Sequence, residues 1–278
     1  MGISCPTFSK VNIGLKILGQ REDGYHNIYT VFQELDFGDS ITIKQADSGC
    51  TISSNVDWIP TDESNICYKA YTALKRKFPK LGGVSIHIKN RIPAGSGLGG
   101  GSANGAAVLK GLNKLYNLEL SDDGLEKIGS EVGADVPFFI KGGTQLGEEI
   151  GDKLTPLPRS VAGVYLLVFP NLSISTAWAY SGIKNKLKSR IVLPNFVGFF
   201  SGDNSSLEIF ENDFERIVIP AYPEIGAIKY KLLELGARFA SLSGSGSTVF
   251  GIFDEDTSAK EAELFFHPAH QTTLANPT

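Results

Sequence analysis

Apolar and polar residues alternate along residues 8–17. Val11, Ile13, Leu15 and Ile17 fall on one side of an extended chain, and Lys10, Asn12, Gly14 and Lys16 on the other. A period of two marks a half-buried strand, so Lys10 and Asn12 are expected to share a face turned away from the apolar layer. A hairpin turn at Asp23-Gly24 follows, then strands over 28–37 and 39–45 joined at Gly38-Asp39, and another from Cys50 to Ser53. The period lengthens after Thr61-Asp-Glu-Ser-Asn65, where Ile66, Ala70, Leu74 and Phe78 predict a helix. Val84, Ile86 and Ile88 alternate with Ser85, His87 and Lys89, a strand with His87 on its surface.

That strand runs into Pro93-Ala-Gly-Ser-Gly-Leu-Gly-Gly-Gly-Ser-Ala-Asn-Gly-Ala-Ala-Val-Leu109. From Ser102 onward the residues favour helix. Another helix opens at Ser121 with Leu125, Ile128 and Val132 on one stripe, and Gly133 stands where helix stops favour glycine. Gly142-Gly143, Gly147 and Gly151 punctuate a strand pair that closes the first half near Pro158. In the second half, Val164 to Phe169 reads as a buried strand. Residues 185–203 read as a mobile connection, 204–217 and 223–235 as helices, and Ser241 to Phe250 as a second glycine-rich loop entering a strand. A last helix is expected over 257–266, and a loose tail from His267. Strands and helices mix without regular alternation, which points to an α+β fold.

The length of 278 residues suits one large domain or two ordinary ones. A chain 42% hydrophobic and 20% charged has the make-up of a soluble globular protein. No apolar run reaches the ~18 residues of a membrane span, and Met1 to Pro6 lacks the pattern of a signal peptide. Cys5, Cys50 and Cys67 are scattered and odd in number, so a reducing, cytoplasmic setting is the simplest expectation. The net charge of −4 argues against nucleic acid as a partner. An anionic ligand would therefore be held by local N–H groups and a few placed cations.

The loop from Pro93 supplies such groups. Five glycines within residues 95–101 let the backbone reach positive φ and approach a ligand closely. A helix start beyond it offers unpaired N–H groups and partial positive charge, which suits a polyphosphate. Gly95-Ser-Gly97-Leu-Gly-Gly100 also fits the dinucleotide pattern G-x-G-x-x-G, a weak match on its own, and no Lys follows the last glycine as in a P-loop. Asp135 lies in the apolar run Ala134-Asp-Val-Pro-Phe-Phe139, and its position leaves a helix cap and a catalytic carboxylate equally open. On an isolated strand a lysine such as Lys10 is ordinarily a solvated edge residue. Tyr25 and His26 at a turn ordinarily reflect packing.

Together these segments resemble the GHMP small-molecule kinases. The likeness rests on Lys10-Val-Asn12, the Pro-x-x-x-Gly-Leu-Gly loop from Pro93 and the Ser-Gly-Ser-Gly loop at 243–246, in that order. Arg21-Glu-Asp-Gly-Tyr-His26 and Gly133-Ala-Asp-Val-Pro-Phe-Phe139 resemble the branch of the family whose acceptor is a cytidine diphosphate-linked methylerythritol. The resemblance implies a two-domain GHMP kinase fold. Residues 1–158 would form a ribosomal-protein-S5-domain-2-like half and residues 159–278 a ferredoxin-like half, with the site in a cleft between them. It implies ATP as phosphate donor, held by Pro93, Ala94, Gly95, Ser96, Gly97, Leu98, Gly99, Gly100, Gly101, Ser102 and Ala103, with Asn65 near the adenine. Lys10 and Asp135 would be catalytic. Tyr25 and His26 would bind cytosine, with Tyr180 as a second aromatic, and Asn12 and Thr176 would contact substrate. Mg²⁺ should accompany ATP, and the motifs name no protein ligand for it. They leave the oligomeric state open.

Overall fold

The computed structural model describes residues 2–183, 192–203 and 206–278. In the first half its elements are β1 (Gly2–Pro6), β2 (Ser9–Gln20), β3 (His26–Leu35), β4 (Ser40–Ala46), β5 (Cys50–Ser54), α1 (Ile66–Lys77), β6 (Gly83–Lys89), α2 (Gly100–Leu115), α3 (Asp122–Val132), α4 (Val136–Lys141), β7 (Thr144–Glu148) and β8 (Lys153–Pro156). Then come β9 (Val164–Phe169), α5 (Thr176–Ile183), α6 (Phe196–Ser201), α7 (Glu215–Ala221), α8 (Pro223–Glu234), β10 (Phe239–Leu242), β11 (Val249–Phe253), α9 (Asp256–Phe266) and β12 (Gln271–Ala275). They fall into two compact units. The first holds the chain up to Ser9, Phe37–Ile92 and Gly99–Gly142, and the second Lys10–Asp36, Pro93–Leu98 and Gly143–Thr278.

The first unit is a sheet in the order β1-β4-β6-β5, with β5 parallel to β6 and the other pairs antiparallel. Helix α2 packs on β1 and β4, and α1 on β5 and α2. Strand β6 keeps its alternation: Val84, Ile86 and Ile88 are buried, and Ser85, His87 and Lys89 are exposed. Strand β1 was not foreseen. Gly-Ile-Ser-Cys-Pro carries no amphipathic pattern, and its pairing with β4 makes it a strand. Gly133 ends α3 in extended backbone (φ −178°), not in the left-handed turn that a helix-stopping glycine commonly adopts.

The second unit contains two antiparallel sheets, β2-β3-β7-β8 and β10-β11-β9-β12. Strand β9 is the unbroken apolar run Val-Tyr-Leu-Leu-Val-Phe, as a strand paired on both edges and packed against helices requires. Helix α8 lies on β10 and β11, and α9 on β9, β11 and β12. Counting α8 as the first crossover, the chain runs β9-α8-β10-β11-α9-β12, the ferredoxin-like succession.

Three expectations need correction here. The tail is not loose: β12 pairs with β9 from Gln271↔Phe169 to Ala275↔Tyr165, and Asn276 and Thr278 hydrogen-bond Asp36 and Glu34. Polar residues hid a strand held by backbone pairing. The helix expected over 204–217 is, among the described residues, a 3-10 turn at Leu207–Ile209 followed by α7 only from Glu215. Of the connection at 185–203, residues 184–191 lie outside the described residues. From Phe196 the chain is helical, because Phe196 and Phe210 stack at 4.8 Å over Gly14, where a Cβ would stand 2.7 Å from the Phe196 ring.

Between Phe37 and β4 the chain passes within bonding distance of Thr7. Thr7 N donates to Asp39 O at 3.0 Å, and Asp39 N to Thr7 Oγ1 at 2.8 Å. Gly38 permits this approach, since a Cβ there would lie 1.9 Å from the Thr7 carbonyl oxygen. Backbone cannot give way as a flexible side chain can. Gly38→Ala is expected to lower stability by about 2–3 kcal/mol, read as a reduced urea midpoint at unchanged slope. An unchanged midpoint would refute the packing argument.

Candidate functional site

Strand β2 brings Lys10 and Asn12 into the second unit, but not onto a solvated face. They are 5% and 1% exposed. A buried ammonium must be compensated by hydrogen bonds, and here a polar chain does so. Lys10 Nζ donates to Asn12 Oδ1 at 2.8 Å, Asn12 Nδ2 to Thr30 Oγ1 at 2.8 Å, and Thr30 Oγ1 to the Gly14 carbonyl at 2.6 Å. The Lys10 ammonium also lies 5.4 Å from the Phe32 ring centre. Alternation correctly separated these side chains from the apolar set. It could not show that other segments cover them.

The cover includes the two glycine loops. Lys10 N donates to Leu98 O at 2.9 Å. Ser247 N donates to Gly95 O, Thr248 N to Ser96 O, and Ser243 Oγ to Gly97 O. At Gly97, with φ +74°, a Cβ would lie 2.2 Å from the Ser243 carbonyl oxygen, so the loops meet backbone to backbone. A Cβ on Gly244 would lie 3.5 Å from Asn12 Oδ1 and 3.7 Å from Lys10 Nζ. The late loop therefore borders the buried lysine.

In the first unit, α2 begins at Gly100, two residues before the expected Ser102. Its N-cap, Gly99, has φ +74° and no side chain to cap the helix. The first-turn N–H groups of Gly100, Gly101 and Ser102 thus point out of the helix without a side-chain acceptor at the cap. A Cβ on Gly101 would come no nearer than 3.9 Å to Ile66, which leaves room for an anion. Asn65 caps α1: its Oδ1 accepts from Cys67 N at 2.8 Å and its amide donates to Pro60 O at 2.6 Å. Asp135 stands at the N-cap position of α4, half-buried, yet makes no capping bond. The capping alternative is therefore not the arrangement adopted. Among the described residues no cluster of three His, Cys, Asp or Glu could hold a metal ion.

Tyr25, His26 and Tyr180 belong to the second unit. Tyr25 is 61% exposed, and His26 is buried, stacked on Tyr180 at 4.7 Å between centroids and 20° between planes. Thr176 opens α5 and shares a 2.9 Å hydrogen bond with Ser245 of the late loop.

Two further residues organise the loops without having been singled out. Asn212 is buried and uses its whole amide. Nδ2 donates to Leu242 O at 2.7 Å and to Gly244 O at 2.8 Å, and Oδ1 accepts from Phe214 N at 3.0 Å. Asn212 also forms a parallel bridge with Leu15 of β2. Nearby, the hydrogen bond from Lys16 holds Glu211 below the usual carboxylate range against an opposing effect of burial. The run Glu211-Asn-Asp-Phe-Glu215, polar residues among aromatics, was the available signal. The second residue is Asp39, whose Gly-Asp pair read only as a turn.

The model for the GHMP kinases N terminal domain matches residues 65–143, and that for the GHMP kinases C terminal matches 196–270. The chain is 40% identical over 260 residues to a 4-diphosphocytidyl-2-C-methyl-D-erythritol kinase of Acetivibrio thermocellus, covering 92% of each. It is 38% identical over 279 residues to the kinase of that name from Chlorobium luteolum, covering 99% of this chain and 97% of the relative. A solved 4-(cytidine 5'-diphospho)-2C-methyl-D-erythritol kinase matches with a TM-score of 0.83 at 28% identity over 99% of both chains. A homoserine kinase from Cytophaga hutchinsonii matches with a TM-score of 0.70 at 20% identity, over 100% of this chain and 94% of that one, a likeness of fold.

Asn212→Ala would remove the Asn212 donor from the Gly244 carbonyl and leave the Leu242 carbonyl with only the longer bond from Ser241 Oγ among those seen. The expected cost is about 2–3 kcal/mol, read by urea denaturation. Wild-type stability would show that these carbonyls find another donor.

Proposed function

The chain belongs to the GHMP kinase family, and we infer that it transfers the γ-phosphate of ATP to the 2-hydroxyl of 4-diphosphocytidyl-2-C-methyl-D-erythritol. The products are the 2-phosphate and ADP, a step of the non-mevalonate route to isoprenoid precursors. The observation that carries the acceptor's identity is the near-full-length likeness to kinases named for it. No helix among the described residues is long and apolar enough to cross a membrane.

Phosphoryl transfer leaves little covalent chemistry to the protein, and positioning and charge supply most of the rate. Our proposal gives residues 93–103 the ATP phosphates, through backbone N–H groups of the loop and of the first turn of α2. The uncapped start of α2 and the exposure of Gly101 support it. Asp135 accepts the proton of the acceptor hydroxyl. Its half-buried place at the start of α4, beside the glycine that ends α3, supports this. Lys10, whose ammonium is oriented by Asn12, stabilises negative charge on the transferred group. When bound with ATP, Mg²⁺ would offset phosphate charge, and no protein ligand is proposed for it.

For the acceptor, we assign the cytosine to Tyr25 by stacking and to His26 by hydrogen bonds to the base edge, with Tyr180 as a second ring there. The exposure of Tyr25 and the stacking of His26 on Tyr180 support this. Asn12 and Thr176 remain our candidates for further substrate contacts, and Asn65 for the neighbourhood of the adenine. The domain boundary near residue 158 and a cytoplasmic location are retained as proposals.

The test is ADP release with Mg·ATP and 4-diphosphocytidyl-2-C-methyl-D-erythritol, run beside homoserine and mevalonate. Release is expected only with the cytidine acceptor, and turnover of either other alcohol instead would overturn the assignment. Asp135→Asn is expected to lower kcat about 10³-fold with little change in KM. Unaltered turnover would remove Asp135 from the mechanism. His26→Ala should raise KM for the acceptor and spare KM for ATP.

A further inference from the structure

Asp39 is 3% exposed and belongs to none of the motifs assigned to ATP or the acceptor. Its carboxylate is the acceptor for four separate groups. Oδ1 accepts from Arg91 N at 2.7 Å and from Ile92 N at 2.9 Å. Oδ2 accepts from Asn104 Nδ2 at 2.8 Å, and Asn90 Nδ2 lies 3.1 Å from Oδ2 and 3.2 Å from Oδ1. The Asp39 backbone is itself fixed by the two bonds to Thr7.

Those partners have one thing in common. Residues 90–92 are the last before the glycine loop, and Asn104 stands in the opening turns of the helix after it. One carboxylate thus ties the chain on either side of residues 93–103. Asn104 bears a cost for this link. It is 4% exposed, its amide nitrogen must face Asp39, and its Oδ1 is buried with no hydrogen-bond partner among the described residues. A leucine of similar size would leave no such orphan. A buried amide satisfied on one side only is a poor device for stability alone, and a good one for fixing where α2 begins.

The geometry points to Asp39, acting through Asn104 and the N–H groups of Arg91 and Ile92, as a positioning residue for the ATP-phosphate loop. This rests on the reading of residues 93–103 given above. The four donors meet a full negative charge, and charge-assisted bonds are the stronger kind. They hold the loop's two ends at a set separation, so that the first-turn N–H groups of α2 are arranged before ATP arrives. Preorganisation of this sort is expressed as affinity for the ligand held.

The test compares Asp39→Asn and Asn104→Leu with the wild type. Asp39→Asn turns one oxygen into an N–H₂ that faces donors. Asn104→Leu removes one bond and an orphaned oxygen, and keeps the test open should Asp39→Asn fail to fold. Each is expected to raise KM for Mg·ATP, and the calorimetric Kd for ATP, by about tenfold or more. KM for the cytidine acceptor should stay within about twofold. A third variant, Gly101→Glu, places a carboxylate at the exposed first turn of α2 and should abolish ATP binding. If Gly101→Glu kept wild-type ATP affinity, the phosphate reading of the loop would fall. If Gly101→Glu lost ATP while folded Asn104→Leu bound it normally, only the role of Asp39 would fall. A rise in both KM values in step with a fall in Tm would reduce Asp39 to a structural residue, and would equally overturn the inference.

Discussion

No side chain fits at Gly97. The space a Cβ would take is filled by the carbonyl of Ser243, and this contact between two backbones 146 residues apart conditions the second unit. It forces glycine into the early loop and a turn into the late one. It brings Gly244 beside Asn12 and Lys10, and it needs Ser243, Ser247 and Thr248 as donors to the carbonyls of residues 95–97. Asn212 secures the other side of the late loop through the carbonyls of Leu242 and Gly244, and joins it to β2 at Leu15. A polar residue whose amide is wholly used in this way acts as a fixed part of the backbone scaffold.

Burial of Lys10 is the electrostatic counterpart of that packing. An ammonium 5% exposed would be strongly disfavoured without compensation. The chain from Lys10 through Asn12 and Thr30 to the Gly14 carbonyl gives it direction as well as compensation, since Asn12 Oδ1 is itself oriented by the bond from Asn12 Nδ2 to Thr30. A lysine held this way has lost most of its rotamer freedom before any ligand binds, which lessens the ordering cost of using its charge.

Period and motif revealed much of this. The strand over 8–17, the buried run of β9, Asn65 and Ser121 as helix caps and both glycine loops can be read from residue type and spacing. What escaped was whatever depends on pairing at a distance. Strands β1 and β12 are polar or irregular segments made into strands by β4 and β9. Lys10 and Asn12 were placed on the correct face of β2, but a period of two does not tell solvent from a second polar layer. Asn212 acts through backbone groups, which leave no trace in the amino-acid alphabet, and Asp39 through two backbone N–H groups and two asparagines 51 and 65 residues away.

The same division separates general chemistry from choice of acceptor. Phosphate binding, as read here, depends on N–H groups and on glycines that let backbones meet, features that a fold can keep while most of its side chains change. The residues assigned to the cytosine sit elsewhere: Tyr25 in the turn at the end of β2 opposite Lys10, His26 at the start of β3, and Tyr180 on α5. Arg21 N donates to Tyr25 O, Gly24 N to Arg21 O, Tyr25 N to Asp23 Oδ1 and Gln20 Nε2 to Gly24 O. These bonds stay within residues 20–25, and Arg21 also reaches Asn27 on β3 and Glu149 after β7, so the turn can be rebuilt without disturbing the register of β2 at Lys10. A strand that carries a fixed lysine at one end and a separately held turn at the other lets the acceptor pocket change while the phosphate chemistry stays in place.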